Sequence, residues 1–236
     1  MNPDTDPPLS TVSQDAATLY RQGVDLTLAA WPGGAERLDA AIAADPDFAL
    51  AQAARARLHA VHGDPEAARR QMALAVDLAA RNATEHEASH IDVLAHAVAG
   101  RSAQALARAL EHLDRWPRDP MILSLPLGAF GLFAFSGMVG HEQARVDLCA
   151  RHAGRFGAGD WWFLASYGWA LAENGEVARG RAMLERSLDL RRENANGVHA
   201  LAHAMFEGGA GAESDALIEA WLPVYDRSGL LYAHIA

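Results

Sequence analysis

Glycine recurs in this chain on a beat. Gly63, Gly100, Gly137, Gly175 and Gly209 stand roughly 34 to 38 residues apart, each at a turn between helix-like segments. That period belongs to helical hairpins of the tetratricopeptide kind, which bury their apolar faces only by stacking on neighbours. The spacing leaves no place for a sheet. It predicts an all-α, tetratricopeptide-like right-handed solenoid of about six helical hairpins plus the start of a further helix.

Composition agrees with the pattern. Half of the residues are hydrophobic, Ala is abundant, and the β-branched runs that mark strands are scarce. At 236 residues the chain exceeds a typical single core, but a solenoid grows by stacking and escapes that limit. A formal net charge of −10 opposes a phosphate backbone, so no nucleic-acid partner is expected. All 20 basic residues are Arg, which fits a GC-rich genome and carries no mechanism. Cys149 is the single cysteine; no intrachain disulfide can form, and a reducing, cytoplasmic compartment fits best.

Residues 1–14 hold Pro3, Pro7 and Pro8 with neither a basic start nor an apolar stretch, and read as a disordered leader rather than a secretion signal. Residues 15–236 read as a single helical-repeat domain. Met121–Gly140 contains no charged residue and is long enough to cross a bilayer. Pro126, Gly128, Gly131 and Gly137 interrupt it, however, and it falls where the repeat expects a first helix. A helix buried among its neighbours, and no membrane span, is the simpler expectation.

Helix signals place pairs at 15–30 with 34–44, 48–62 with 65–80, 84–99 with 102–116, 119–136 with 141–156, 160–174 with 176–191, and 194–207 with 211–225. Pro46 and Pro117 act as stops, and Ser102 and Asp160 are expected N-caps. Residues 228–236 would begin a further first helix and end inside it on Leu230, Leu231, Tyr232 and Ile235. An uncapped apolar end of this kind is expected to be covered by self-association or by a continuation of a longer parent chain.

Five segments carry a family resemblance: LDAAIAADPDFALAQAARARLHAVHGDPEAAR, LEHLDRWPRD, FAFSG, GDWWFLASYGWALAENGE and VHALAHAMFEGG. Together they resemble the bacterial branch of the tetratricopeptide repeat protein 38 family, over nearly the whole chain beyond Gln14. The resemblance implies an α-helical repeat fold, and a chain that continues past a segment like LYAHIA into further helices.

Register sharpens the reading. With the turn glycine as position fifteen of a repeat unit, the positions ten, six and two residues before it share one helical stripe and face the groove. They are His90, Leu94 and Val98; Leu127, Gly131 and Phe135; Ala165, Trp169 and Glu173; and His199, His203 and Glu207. Small and apolar residues fall where the second helices must pack: Ala68, Met72 and Ala75, then Gly180, Leu184 and Ser187.

His199 and His203, four apart on one helix face, have the spacing at which two imidazoles reach one metal ion, and Glu207 lies one turn further. Glu173 or His234 could complete a divalent-metal shell. The plainer account is two histidines packing and hydrogen bonding in a wet groove. The tryptophans Trp161 and Trp162 suit core packing, whereas Trp169 would give the groove a flat apolar floor beside Leu127 and Phe135. His59, His62, His86, His112, His141 and His152 share no spacing and read as surface or turn residues. Cys149 has no sequence partner for a catalytic thiol, and neither a phosphate-binding Gly loop nor a nucleophile elbow is present.

Two functions follow. The first is a non-catalytic helical-repeat module that holds a peptide, a partner protein or a small ligand in its concave groove. The second is an enzyme with its site at His199, His203, Glu207 and a further histidine such as His90 or His234, where a divalent metal activates water.

Overall fold

The computed structural model describes residues 7–236, so the start of the expected leader lies outside the described residues. No strand occurs among them. The helices follow in pairs: α1 (Gln14–Leu28) and α2 (Gly34–Ala44), α3 (Ala49–Val61) and α4 (Pro65–Asn82), α5 (Glu85–Val98) and α6 (Ser102–Arg115), α7 (Pro120–Leu127) and α8 (His141–His152). Then come α9 (Trp161–Glu173) and α10 (Val177–Leu190), α11 (Ala195–Glu207) and α12 (Gly211–Trp221), and the short α13 (Tyr232–Ile235).

All five beat glycines adopt positive φ, from 72° at Gly100 to 90° at Gly175. A Cβ disfavours that conformation, which is why glycine recurs there. Four of them close a first helix in the same way. Asp64, Arg101, Glu176 and Ala210 each follow the glycine and donate their amide to the carbonyl five residues back, on His59, His96, Leu171 and Met205. This is the Schellman closure, which satisfies carbonyls that the helix end would leave open.

Gly137 is the exception, and it marks a correction. The helix expected over 119–136 stops at Leu127, and residues 128–140 run through turns. Pro126, in the last turn, has no amide to donate, and Gly128 and Gly131 follow at once. Phe130 and Phe135 are left exposed and stacked on each other, with ring centroids 6.4 Å apart. No described helix is long and apolar enough to cross a membrane.

The chain divides into two compact units. Unit 1 takes in the described chain up to Thr27 together with Gly33–Pro126. Here α3 packs on α4 and α5, and α5 on α6, around Leu38, Phe48, Leu50, Leu78, Leu94 and Leu113. Ala68, Met72 and Ala75 are buried along α4, as the register requires. Ahead of α1, the Ser10 amide donates to Glu87 Oε1 at 2.8 Å, and the Thr11 hydroxyl bonds the Asp45 carboxylate.

Unit 2 comprises Leu28–Pro32 and Leu127–Ala236. Its α9 packs on α10, α10 on α11 and α11 on α12, with Gly180, Leu184 and Ser187 buried along α10. The Leu28–Pro32 segment is tied in by its carbonyls. Ala29 O accepts from the Ala195 amide at 2.9 Å, and Leu28 O from the Asn196 side chain at 2.8 Å. Ala30 O accepts from the Tyr225 hydroxyl at 2.8 Å, and Trp31 packs against Trp221 and Tyr225. The further helix expected from Ser228 is instead a turn followed by α13, whose Ile235 is buried with Ala30, Val198, Trp221 and Tyr225.

One cap holds and one does not. Asp160 accepts from the Phe163 amide at 2.9 Å. Ser102 is already inside α6, and the cap position belongs to Arg101, which makes no side-chain cap.

Candidate functional site

The most open cluster of chemistry lies in unit 2. Asn194 starts α11 by accepting from the Gly197 amide at 2.9 Å, and its own side chain is fully buried. That cap fixes the first turn of the helix that carries His199 and His203. The inward stripe of α11, Val198, Leu201, Ala202 and Met205, is buried, which turns His199 and His203 away from the core.

His199 stacks on Trp169 of α9, with centroids 5.8 Å apart and planes at 28°. His203 meets the same indole edge-on at 5.4 Å and His199 at 4.6 Å. From α13, His234 brings its Nε2 to 3.0 Å from His199 Nε2. His199 is half-buried, whereas His203 and His234 are exposed, and one nitrogen of each lies within 4.8 Å of the others. Trp169 itself is only 9% exposed, so it backs the imidazoles rather than forming an open floor.

Electrostatics keeps His199 neutral. Burial, reinforced by His203 and His234, pushes the His199 imidazole down to about 4. Its lone pair is therefore free near neutral pH, as a ligand-binding or metal-binding imidazole requires. Burial raises the Glu173 carboxyl; His203 and Arg145 counter it, and Glu207 adds to it. Glu173 thus senses both His203 and Glu207.

The structure therefore gathers Trp169, His199, His203 and His234, with Glu173 and Glu207 as the neighbouring acidic groups. Of the other expected groove residues, Ala165 is buried in the same core cluster as Trp169. Leu127 is 3% exposed and sits in the core, while Phe135 lies on the exposed turn segment. His90 is 1% exposed in unit 1, so it faces no groove. Leu94 is fully buried there as well.

The burial of His90 exposes a second correction. His86, His112 and His152 are not surface residues: His112 and His152 are buried, and 11% of the His86 side chain is exposed. Around His90, three imidazoles converge on Asp119. His86 Nε2, His90 Nδ1 and His112 Nε2 stand 2.9, 2.7 and 3.2 Å from Asp119 Oδ2. Burial alone would raise the Asp119 carboxyl. The electrostatic pull of His90 and the bonds from His112, His86 and His90 outweigh it and hold the carboxyl well below the usual carboxylate range. Desolvation pushes the His112 imidazole down. His86 and His90 have the same i, i+4 spacing as His199 and His203, and that was the signal in the sequence.

Cys149 is buried, and burial pushes its thiol up to about 12, which leaves it unreactive.

No family model matches the chain, and no curated protein does. Among solved structures, the chain is similar to a chain of the APC/C hetero-tetramer Cut9–Hcn1, with 16% identity and a TM-score of 0.56. That likeness covers 94% of this chain and 42% of that one, so the chain spans less than half the length of its match. It is also similar to YrrB, a TPR protein with an unusual peptide-binding site, at 14% identity and a TM-score of 0.41, over 79% of this chain and 91% of that one. At such identities the likeness to the Cut9–Hcn1 chain concerns fold alone. Together with the paired helices and their glycine closures, it makes this an all-α, tetratricopeptide-like helical-repeat protein.

Proposed function

We propose that the protein is a cytoplasmic helical-repeat binding module. It holds a peptide, a segment of a partner protein or a small ligand against the face formed by Trp169, His199, His203 and His234. The observation that carries this reading is the convergence of three imidazoles, from α11 and α13, beside one indole. Packing does not demand it, since His203 and His234 are exposed and add little to the core. Imidazole nitrogens can donate to a carboxylate or, where unprotonated, accept from an amide, and Trp169 supplies an apolar backing. Glu173 and Glu207 favour a ligand that brings hydrogen-bond donors. On the five quoted segments, we place the chain beside the tetratricopeptide repeat protein 38 family.

A second reading, a metal-dependent enzyme, is favoured by the three imidazole nitrogens lying within 4.8 Å of one another. His199, His203 and His234 would hold a divalent ion with a position left open, and such an ion activates bound water.

The test uses the full chain without an affinity tag, as wild type and as His203→Ala, on an array of defined peptides. Binding reserved to the wild type, at matched melting temperature, supports the module. Identical retention by both proteins overturns it. Calorimetric titration with zinc chloride, followed by a panel of ester and phosphoester substrates, decides for the second reading if turnover appears only with zinc.

A further inference from the structure

The strongest unassigned cluster is the one in unit 1. His86 and His90 lie one turn apart on α5, His112 near the end of α6, and Asp119 just before α7. Their four donor atoms all lie within 4.8 Å of one another. The Asp119 side chain is divided between two tasks. Oδ1 accepts from the Ile122 amide at 3.1 Å and starts α7, which leaves Oδ2 as a single donor toward the three rings.

Three rings from two helices aim one nitrogen each at that oxygen, at 2.7 to 3.2 Å. A tetrahedral ion with bonds of about 2.0–2.1 Å sets its ligand atoms about 3.3 Å apart, so each nitrogen–oxygen separation needs to lengthen by only a few tenths of an ångström to match that spacing. Three imidazoles and one carboxylate select a zinc-class ion over calcium or magnesium, which require oxygen donors.

The surroundings match such a shell. Ser89 Oγ lies 2.9 Å from His112 Nδ1 and fixes which nitrogen of that ring faces Asp119. Trp116 packs against His112 at 4.9 Å and against His86 at 5.4 Å, and covers the cluster.

We propose that His86, His90, His112 and Asp119 form a closed structural site for a zinc-class divalent ion, which clamps α5, α6 and the start of α7 together. All four positions are taken by protein, and the site is buried. It therefore contributes to folding rather than to turnover. This site is independent of the unit 2 face, and its failure would leave that reading untouched.

The experiment separates the two clusters. The full chain, made without a tag and carrying His199→Ala and His234→Ala, is unfolded with chelator and refolded with zinc chloride, with cobalt chloride or with neither. The expected result is about one zinc per chain retained through desalting. The cobalt form should show the intense visible bands of tetrahedral coordination, and the melting temperature should fall on chelation. Asp119→Asn and His112→Gln should each abolish stoichiometric retention. If either variant fails to fold, the parent's metal content and cobalt spectrum still decide. A folded parent that takes up no zinc or cobalt, and melts identically with and without chelator, overturns the proposal.

Discussion

Gly168 and Gly180 meet across the α9–α10 pair backbone to backbone. A Cβ on Gly180 would stand 2.5 Å from the Gly168 carbonyl oxygen and 2.8 Å from the Ala172 amide nitrogen. Neither atom can move aside as a flexible side chain would. Gly180→Leu should therefore destabilise the protein by about 1–3 kcal/mol through overpacking. Urea unfolding measures it, and an unchanged midpoint would contradict this pairing of helices.

The same contact shows what the sequence made legible. Gly180, Leu184 and Ser187 recur at helical spacing after a turn glycine, so local periodicity was enough to find the buried stripe. The turn glycines themselves were legible because their conformation excludes most other residues. The break after Leu127 was harder to read. An uncharged run from Met121 to Gly140 is compatible with a buried helix, and only Pro126 and the glycines opposed it. The Asp119 cluster needed contacts at long range: His90 and Asp119 are 29 residues apart, and no periodicity links a helix face to the residue before another helix. In unit 2, His199 and His203 were legible from one helix, whereas the approach of His234 depends on how α13 folds back.

Acid should weaken the fold through His199. Its imidazole sits at about 4 in the folded chain against an ordinary 6.5, so protonation favours the unfolded state. The stabilisation is complete above about 6.5 and is lost as pH falls toward 4. His112 is lowered too and acts with the same sign, whereas Asp119 stays ionised through this window. The melting temperature should fall between neutral pH and pH 4, and His199→Asn should flatten that slope without removing it. A slope unaffected by His199→Asn would refute the assignment.

Asn194 links the backbone of α11 to the site it carries. Its Oδ1 caps the helix, its Nδ2 reaches Ser187 Oγ at 3.4 Å, and Ser187 Oγ donates to Trp161 O at 2.7 Å. Asn194→Ala should cost about 1–2 kcal/mol from the lost cap, and more where Ser187 is left short of a partner. Hydrogen exchange of the first-turn amides of α11 should accelerate in the variant. Unchanged protection there would show that the cap does not hold this helix end.

His203 offers the sharpest separation of function from packing. It is exposed, so His203→Ala should change stability by no more than about 0.5 kcal/mol. Yet His203 is one of the causes that hold the His199 imidazole down, second to burial. Its removal should let the His199 pKa rise from about 4 toward 6.5, while the Glu173 carboxyl, which His203 lowers, should rise further. Both shifts can be followed by NMR titration of the ring and carboxyl signals. A His199 titration that stays at about 4 in the variant would mean that burial and His234 set it, and that His199 and His203 do not act as one electrostatic unit.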